Sequence, residues 1–176
     1  MDHVRERGSA DIGQCVHVLA DVHAHDGHPT DWPADPAGWL TVDGLTGAWM
    51  AVRDGRVVGH IALSPARDGD VAPAMWDGGP TAVVGRLFVA PGARADGWGA
   101  RLVERAVREA RQRGLHPVLD AVTGDVAAIA LYERLGRQRL GTGQQEWGPG
   151  RTVAVHCYAA PVPERRNAVA AAAVRL

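Results

Sequence analysis

The chain has 176 residues, 46% hydrophobic and 22% charged, with a formal net charge of −1. That size and balance suit one globular domain and exclude a fibrous or disordered chain. All nineteen cationic side chains are arginine, which excludes a lysine-dependent phosphate loop and Schiff-base chemistry, and the near-neutral charge gives no field to draw the chain to nucleic acid or anionic lipid.

Ile12, Cys15, Val16 and Leu19 recur at helical spacing and predict an amphipathic helix starting near Ser9 or Asp11. A loop rich in His, Asp and Pro is expected over 23–35, after which Asp35-Pro36 opens a short helix to about Leu40. Strands over 48–53 and 56–63 flank Asp54-Gly55, a dipeptide suited to a tight hairpin turn. The Gly- and Pro-rich stretch 64–80 is long for a plain connection and suggests a functional loop or a hidden short helix. A strand is predicted over 81–89. Residues 100–113 are the clearest helix: Leu102, Val103, Ala106, Val107 and Ala110 make one apolar stripe, and Gly114 ends it. Glu104/Arg108 and Glu109/Arg113 stand at ion-pair spacing on its exposed side. A strand over 117–122, a helix capped by Asp125 and ending at Leu135-Gly136, and strands over 137–142 and 152–160 complete the series. This alternation predicts an α/β layered fold with at least one parallel strand pair.

Residues 1–160 are expected to form the domain and 161–176 an alanine-rich tail without chemistry. Cys15 and Cys157 lie too far apart for a paired zinc or redox motif. No leader or membrane-length apolar run is visible, so a cytoplasmic location is expected.

The chemistry concentrates in the segment Arg94-Ala95-Asp96-Gly97-Trp98-Gly99, between a strand and a long helix. Its two glycines let the backbone turn tightly and approach a ligand. The first helical turn then offers unpaired N–H groups and the positive end of a dipole, an anion site suited to a pyrophosphate. On this pattern alone an ordinary strand–loop–helix turn is an equally good account. Leu102 stands where a dinucleotide fingerprint requires its third glycine.

The segment resembles the Arg/Gln-x-x-Gly-x-Gly/Ala phosphate loop of the GNAT superfamily of acyl-CoA-dependent N-acyltransferases, and Leu87-Phe88-Val89 resembles the strand before it. Asp125-Val126-Ala127-Ala128-Ile129-Ala130-Leu131-Tyr132-Glu133-Arg134-Leu135-Gly136 is similar to the family's Asn-x-x-Ala-x-x-Leu-Tyr-x-x-x-Gly-Phe segment. Asp125 replaces the usual Asn, and Arg137 the usual aromatic. The resemblance covers about residues 47–141.

It implies an α/β fold with a mixed sheet, flanked by helices, whose parallel pair, 81–89 and 117–122, splays apart. Acetyl-CoA would lie in that gap as cosubstrate, its pantetheine arm along Leu87, Phe88 and Val89 and beside Asp125 and Ala128. Its pyrophosphate would sit on Arg94, Ala95, Asp96, Gly97, Trp98, Gly99 and Ala100. An amine would attack the thioester directly, with Tyr132 as general acid and a backbone N–H near Val89 polarising the carbonyl. The implied acceptor is a primary amine on a small molecule. A protein or peptide acceptor, or a non-catalytic acyl-CoA-binding module, are the alternatives.

The base is less determined, because the strand 81–89 has no carboxylate. His60, Asp120 and an Asp of the 23–35 loop are the candidates, with His60 the catalytic residue singled out. Asp26, Asp31, Trp32 and Trp39 offer an acidic and aromatic wall to a cationic amine, and Trp49 and Trp76 are further candidates for the cleft. His23, His25 and His28 are of metal-ligand type, but the surrounding glycine and prolines suggest an irregular turn, and no metal is expected. Neither nucleic acid nor a membrane is an expected partner, and a homodimer is compatible with this reading.

Overall fold

Asp54 and Gly55 both have positive φ, 50° and 74°, and turn β2 (Gly47–Arg53) back onto β3 (Arg56–Pro65). Positive φ at both turn residues matches the right-handed twist of the two strands, as the sequence predicts. The computed structural model describes residues 1–163 and holds, besides this hairpin, β1 (His3–Glu6), β4 (Thr81–Val89), β5 (His116–Val122), β6 (Gln138–Glu146) and β7 (Thr152–Ala159). These form one seven-stranded sheet in the order β1-β2-β3-β4-β5-β7-β6. Only β4 and β5 are parallel. The expected alanine-rich tail lies, beyond residue 163, outside the described residues.

β1 has no counterpart in the sequence reading. It is an edge strand in which only Val4 is half-buried, so no apolar run announces it.

Helix α4 (Trp98–Gln112) crosses one face of the sheet. Its stripe Leu102, Val103, Ala106, Val107 and Ala110 is buried against Trp49, Val84 and Leu119. Cutting Leu102 to alanine in such a setting costs about 2–5 kcal/mol. Glu104 does not pair with Arg108 but with Arg137, a buried arginine that needs a carboxylate. Glu109 takes both Arg105 and Arg113, each at 3.0 Å. α5 (Val126–Arg134) lies on the same face; the Asp125 carboxylate accepts the Ala128 N–H at 3.1 Å and caps it.

The opposite face is covered by α1 (Ile12–Asp26), α2 (Pro36–Leu40) and α3 (Val71–Ala74). α3 is the short helix within 64–80. α1 runs to Asp26, four residues into the expected loop, because His23, His25 and Asp26 lie on or near its exposed side and only Gly27, at φ 70°, ends it. Its buried residues are accordingly Cys15, Val18, Leu19 and Val22, packed on Met50, Val52, Val57 and Phe88. Among the described residues no helix is long and apolar enough to cross a membrane.

β4 and β5 pair only from Thr81↔His116 to Val84↔Leu119. Just beyond, β4 carries a bulge: Arg86 and Leu87 together face Ile61, between the pairs Ala62↔Gly85 and His60↔Phe88. A bulge bends and twists its strand, while β5 stays paired with β7 through Val122. The two parallel strands therefore part.

Candidate active site

Between the parted strands lies a cleft of about 930 Å³. Leu87, Phe88 and Val89 form one wall, and Asp125, Ala128 and Leu131 the other. The loop of Arg94, Ala95, Gly97, Trp98, Gly99 and Ala100 closes one end. Asp96 is the one residue of the expected cofactor set that is not in the lining; it points outward and pairs with Arg53 at 2.8 Å.

Ala95 and Gly97 both take left-handed conformations, at φ 67° and 80°. The first intrahelical bond of α4 runs from Arg101 N to Gly97 O at 3.1 Å. The amides of Trp98, Gly99 and Ala100 precede it and have no intrahelical partner, so they face the cleft mouth as donors with the helix dipole behind them. This is a cradle for a phosphate. A Cβ on Gly97 would meet nothing within 4 Å, so its glycine serves the positive φ. A Cβ on Gly99 would come within 3.0 Å of the Leu131 side chain. Gly99 thus lets α5 close onto α4, a requirement the motif alone does not show. The Trp98 ring sinks into the core, with Arg101 stacked 4.3 Å above it.

Arg94 donates through Nε to the Val89 carbonyl at 3.2 Å and through Nη2 to the Asp26 carboxylate. That hydrogen bond, helped by His25, holds Asp26 at a pKa of about 2. Asp26 was expected on the acceptor wall; it belongs instead to the arginine of the phosphate loop. Arg134 also lines the cleft, and among the described residues it has no ion-pair partner. The sequence reading missed it. Extending the spacing Ala127, Leu131, Arg134 by one helical turn would have found it.

Tyr132 is 3% exposed and lies against Tyr158, edge to face, with ring centroids 5.5 Å apart. It is not among the residues that line the cleft. Burial, with Asp120 and Asp125 adding to it, pushes its phenol upward. Among the described residues its hydroxyl has no hydrogen-bond partner.

His60 requires a correction. It is fully buried on β3, stacked on Phe88 with centroids 5.1 Å apart. Its Nδ1–H donates to the Arg86 carbonyl at 2.9 Å, and its Nε2 accepts from Arg7 at 2.8 Å. No lone pair is left for a substrate, and burial drives its pKa down to about 3. His60 is a structural residue that holds the β4 bulge.

Asp120 sits on β5, one residue beyond its last pairing with β4. Burial pushes its carboxyl up to about 6; Asp70 adds to the shift and Arg86 opposes it. It is a carboxylate at the splay with a pKa suited to proton transfer near neutrality.

The rest of the expected acceptor wall is dispersed. Asp31 pairs with Arg151 at the β6–β7 turn. Trp32 is 40% exposed beside His23, at 5.4 Å between centroids. Trp39 lies under the Arg86 guanidinium at 4.1 Å. Trp49 is core, and Trp76 stacks on His116 at 3.9 Å. Their identity as aromatics could be read; which neighbour each ring covers depends on how the helices fold over the sheet. Among the described residues no cluster of three His, Cys, Asp or Glu side chains could hold a metal ion.

The Acetyltransferase (GNAT) family profile matches residues 16–136. A mycothiol acetyltransferase from Saccharomonospora viridis is 33% identical over 139 residues, which cover 73% of this chain and 43% of that protein. The chain thus spans less than half the length of this curated relative. Among solved structures, a Salmonella typhimurium protein with its cofactor acetyl-CoA superposes with a TM-score of 0.68 at 20% identity, over 94% of this chain and 96% of that one. The ribosomal-protein-S18-alanine N-acetyltransferase from Escherichia coli gives 0.65 at 17%, over 94% and 98%. At these identities the likeness is one of fold, and it is the family profile, over more than half of the sequence, that assigns the chain: it belongs to the GNAT family of acetyltransferases.

Proposed function

We propose that this chain is an acetyl-CoA-dependent N-acetyltransferase that acylates the primary amine of a small molecule by direct attack. The observation that carries this reading is the cleft itself, open between β4 and β5 and floored by the unpaired amides of Trp98, Gly99 and Ala100. Those amides, with Arg94 and Arg134, are suited to the phosphates of the cosubstrate. The exposed peptide edge of Leu87 to Val89 is suited to its extended arm, which would add like a strand.

An amine with a pKa near 10.4 is protonated at pH 7, and its deprotonation costs about 4.6 kcal/mol. On this reading Asp120, next to the last β4–β5 pair though outside the cleft lining, receives that proton. The new C–N bond forms as the C–S bond breaks. The nitrogen sheds its second proton to solvent as the amide forms, Tyr132 gives its phenolic proton to the departing thiolate and regains one from solvent, and Asp120 returns its proton to solvent, so an ammonium acceptor yields the amide, the free thiol and one proton.

The test is thiol release from acetyl-CoA over a panel of amines, beside thermal shift with CoA alone. Binding of CoA with turnover of a small amine supports the reading. Turnover only with peptide N-termini moves the acceptor to a protein. CoA binding without thiol release from any amine or peptide leaves a binding module.

A further inference from the structure

Near the end of the parallel ladder stand two opposite charges that form no ion pair among the described residues. The last rung is Val84↔Leu119. Asp120 is the next residue on β5, and Arg86 lies two residues on along β4, at the bulge. Asp120 shares its side of the sheet with Val118 and Val122, the side that packs under α3, and Arg86 rests on Trp39 of α2 on that same side. Each is close enough to shift the other's pKa. Yet no nitrogen–oxygen contact within 4.0 Å joins them among the described residues.

Arg86 is fixed by its backbone and by its neighbours. Its backbone adopts φ 53°, unusual for a side chain of this size, and His60 pins its carbonyl. Its Nε donates to the Trp39 carbonyl at 3.1 Å, and its planar face lies on the Trp39 ring. Three restraints fix the fork, and among the described residues both terminal nitrogens are uncommitted. A fixed guanidinium with two free parallel donors is the geometry that binds a carboxylate in bidentate fashion. Asp120 likewise accepts no hydrogen bond among the described residues. The other charges beside the pair are engaged: Arg67 donates to the Asp43 carbonyl, and Asp70 accepts the Arg67 amide at 2.9 Å. Half-buried charges of opposite sign, left apart, are costly unless a ligand completes both.

We infer that the acceptor is an amino-carboxylate of the α-amino-acid type, with Arg86 receiving its carboxylate and Asp120 its amine. This rests on the reading that the chain acylates a small amine. It adds that the amine must carry a carboxylate on the adjoining carbon, so that a single zwitterion engages both groups. Arg86 then sets specificity, since an acceptor without the acid leaves its fork dry and unpaired.

The experiment compares free L-amino acids, each beside its amide and its decarboxylated amine, in thiol release with acetyl-CoA. At least one amino acid is expected to exceed its two matched amines by about 10²-fold or more in kcat/KM. Arg86→Gln should remove that preference by raising KM for the amino acid far more than for its matched amines, beyond any common change that follows from losing a cation near Asp120. Equal rates for acid and matched amine overturn the inference, as does an equal loss for both in Arg86→Gln. If no acceptor turns over, calorimetry with the same amino acids on CoA-loaded protein decides: saturable binding lost in Arg86→Gln supports the inference, and no binding overturns it. Failure of CoA itself to bind overturns the underlying reading, and the inference with it. Should Arg86→Gln not fold, the amide and amine series on the parent protein still decides.

Discussion

His60 and Arg86 are tied side chain to backbone: the imidazole Nδ1–H donates to the Arg86 carbonyl at 2.9 Å, at the very residue whose φ of 53° makes the β4 bulge. Arg7 occupies the other ring nitrogen at 2.8 Å. The histidine is therefore neutral in the fold, and burial lowers its pKa to about 3. An unfolded histidine titrates near 6.5. Between those values the unfolded chain binds the extra proton, so His60 stabilises fully above about pH 6.5 and loses this contribution as pH falls towards 3. Thermal melts from pH 8 to 4.5 should show a steep decline in Tm for the parent and a flatter one for His60→Asn, from a lower starting point. Parallel slopes would reject this account. The acid–base limbs of the rate profile should not move, since His60 has no free lone pair to offer.

Asp120 makes the opposite pH prediction. Its carboxyl is raised to about 6, chiefly by burial, and only the ionised form accepts a proton. With a productive acceptor, kcat/KM should climb through about pH 6 because of this group. Asp120→Asn should abolish that limb and lower kcat by about 10²–10⁴-fold. For stability the sign reverses: ionising Asp120 disfavours the fold as pH rises from its unfolded value to 6, and the Asn variant should be more stable than the parent above pH 6. An unchanged limb in the variant would leave the base elsewhere.

Tyr132→Phe keeps the ring against Tyr158 and removes only the hydroxyl. Turnover should fall by roughly 10²-fold with little change in CoA affinity, the pattern of an interaction made only in the transition state. Unchanged turnover assigns Tyr132 to packing.

Gly97→Val and Gly99→Val separate conformation from packing. The first puts a β-branched residue at φ 80° with empty space around its Cβ, costing about 1–2 kcal/mol in backbone strain while distorting the amide cradle. The second drives a Cβ to within 3.0 Å of Leu131. Both variants should lose the thermal shift with CoA. The fall in Tm of the free protein should be larger for Gly99→Val than for Gly97→Val, because the α4–α5 contact is strained as well.

Asp26→Asn should act on the cosubstrate. The carboxylate holds Arg94 and carries a negative charge at the mouth of the phosphate cradle. Its removal should tighten acetyl-CoA binding by about two- to fivefold at low salt, an effect that fades as ionic strength rises, with KM for the acceptor unchanged. A shift in the acceptor KM alone would return Asp26 to the acceptor wall.

The elements that carry the cleft were legible in the chain because each announces itself within a dozen residues. The period of Leu102, Val103, Ala106, Val107 and Ala110 gives α4, Asp54-Gly55 gives the hairpin, and Asp125 gives the cap of α5. Backbone propensity and local hydrogen bonds decide such features. What the tertiary structure decided are pairings across long stretches of chain. Asp26 reaches Arg94 over 68 residues, His60 reaches the Arg86 carbonyl over 26, and Glu104 leaves its helical neighbour for Arg137 over 33. Whether His60 is a base or a buried strut depends on what covers it, and whether Arg86 and Asp120 are neighbours depends on the crossover that lays β5 beside β4. Charge type and spacing in the sequence say which side chains can do chemistry; burial and strand order decide which of them are free to do it.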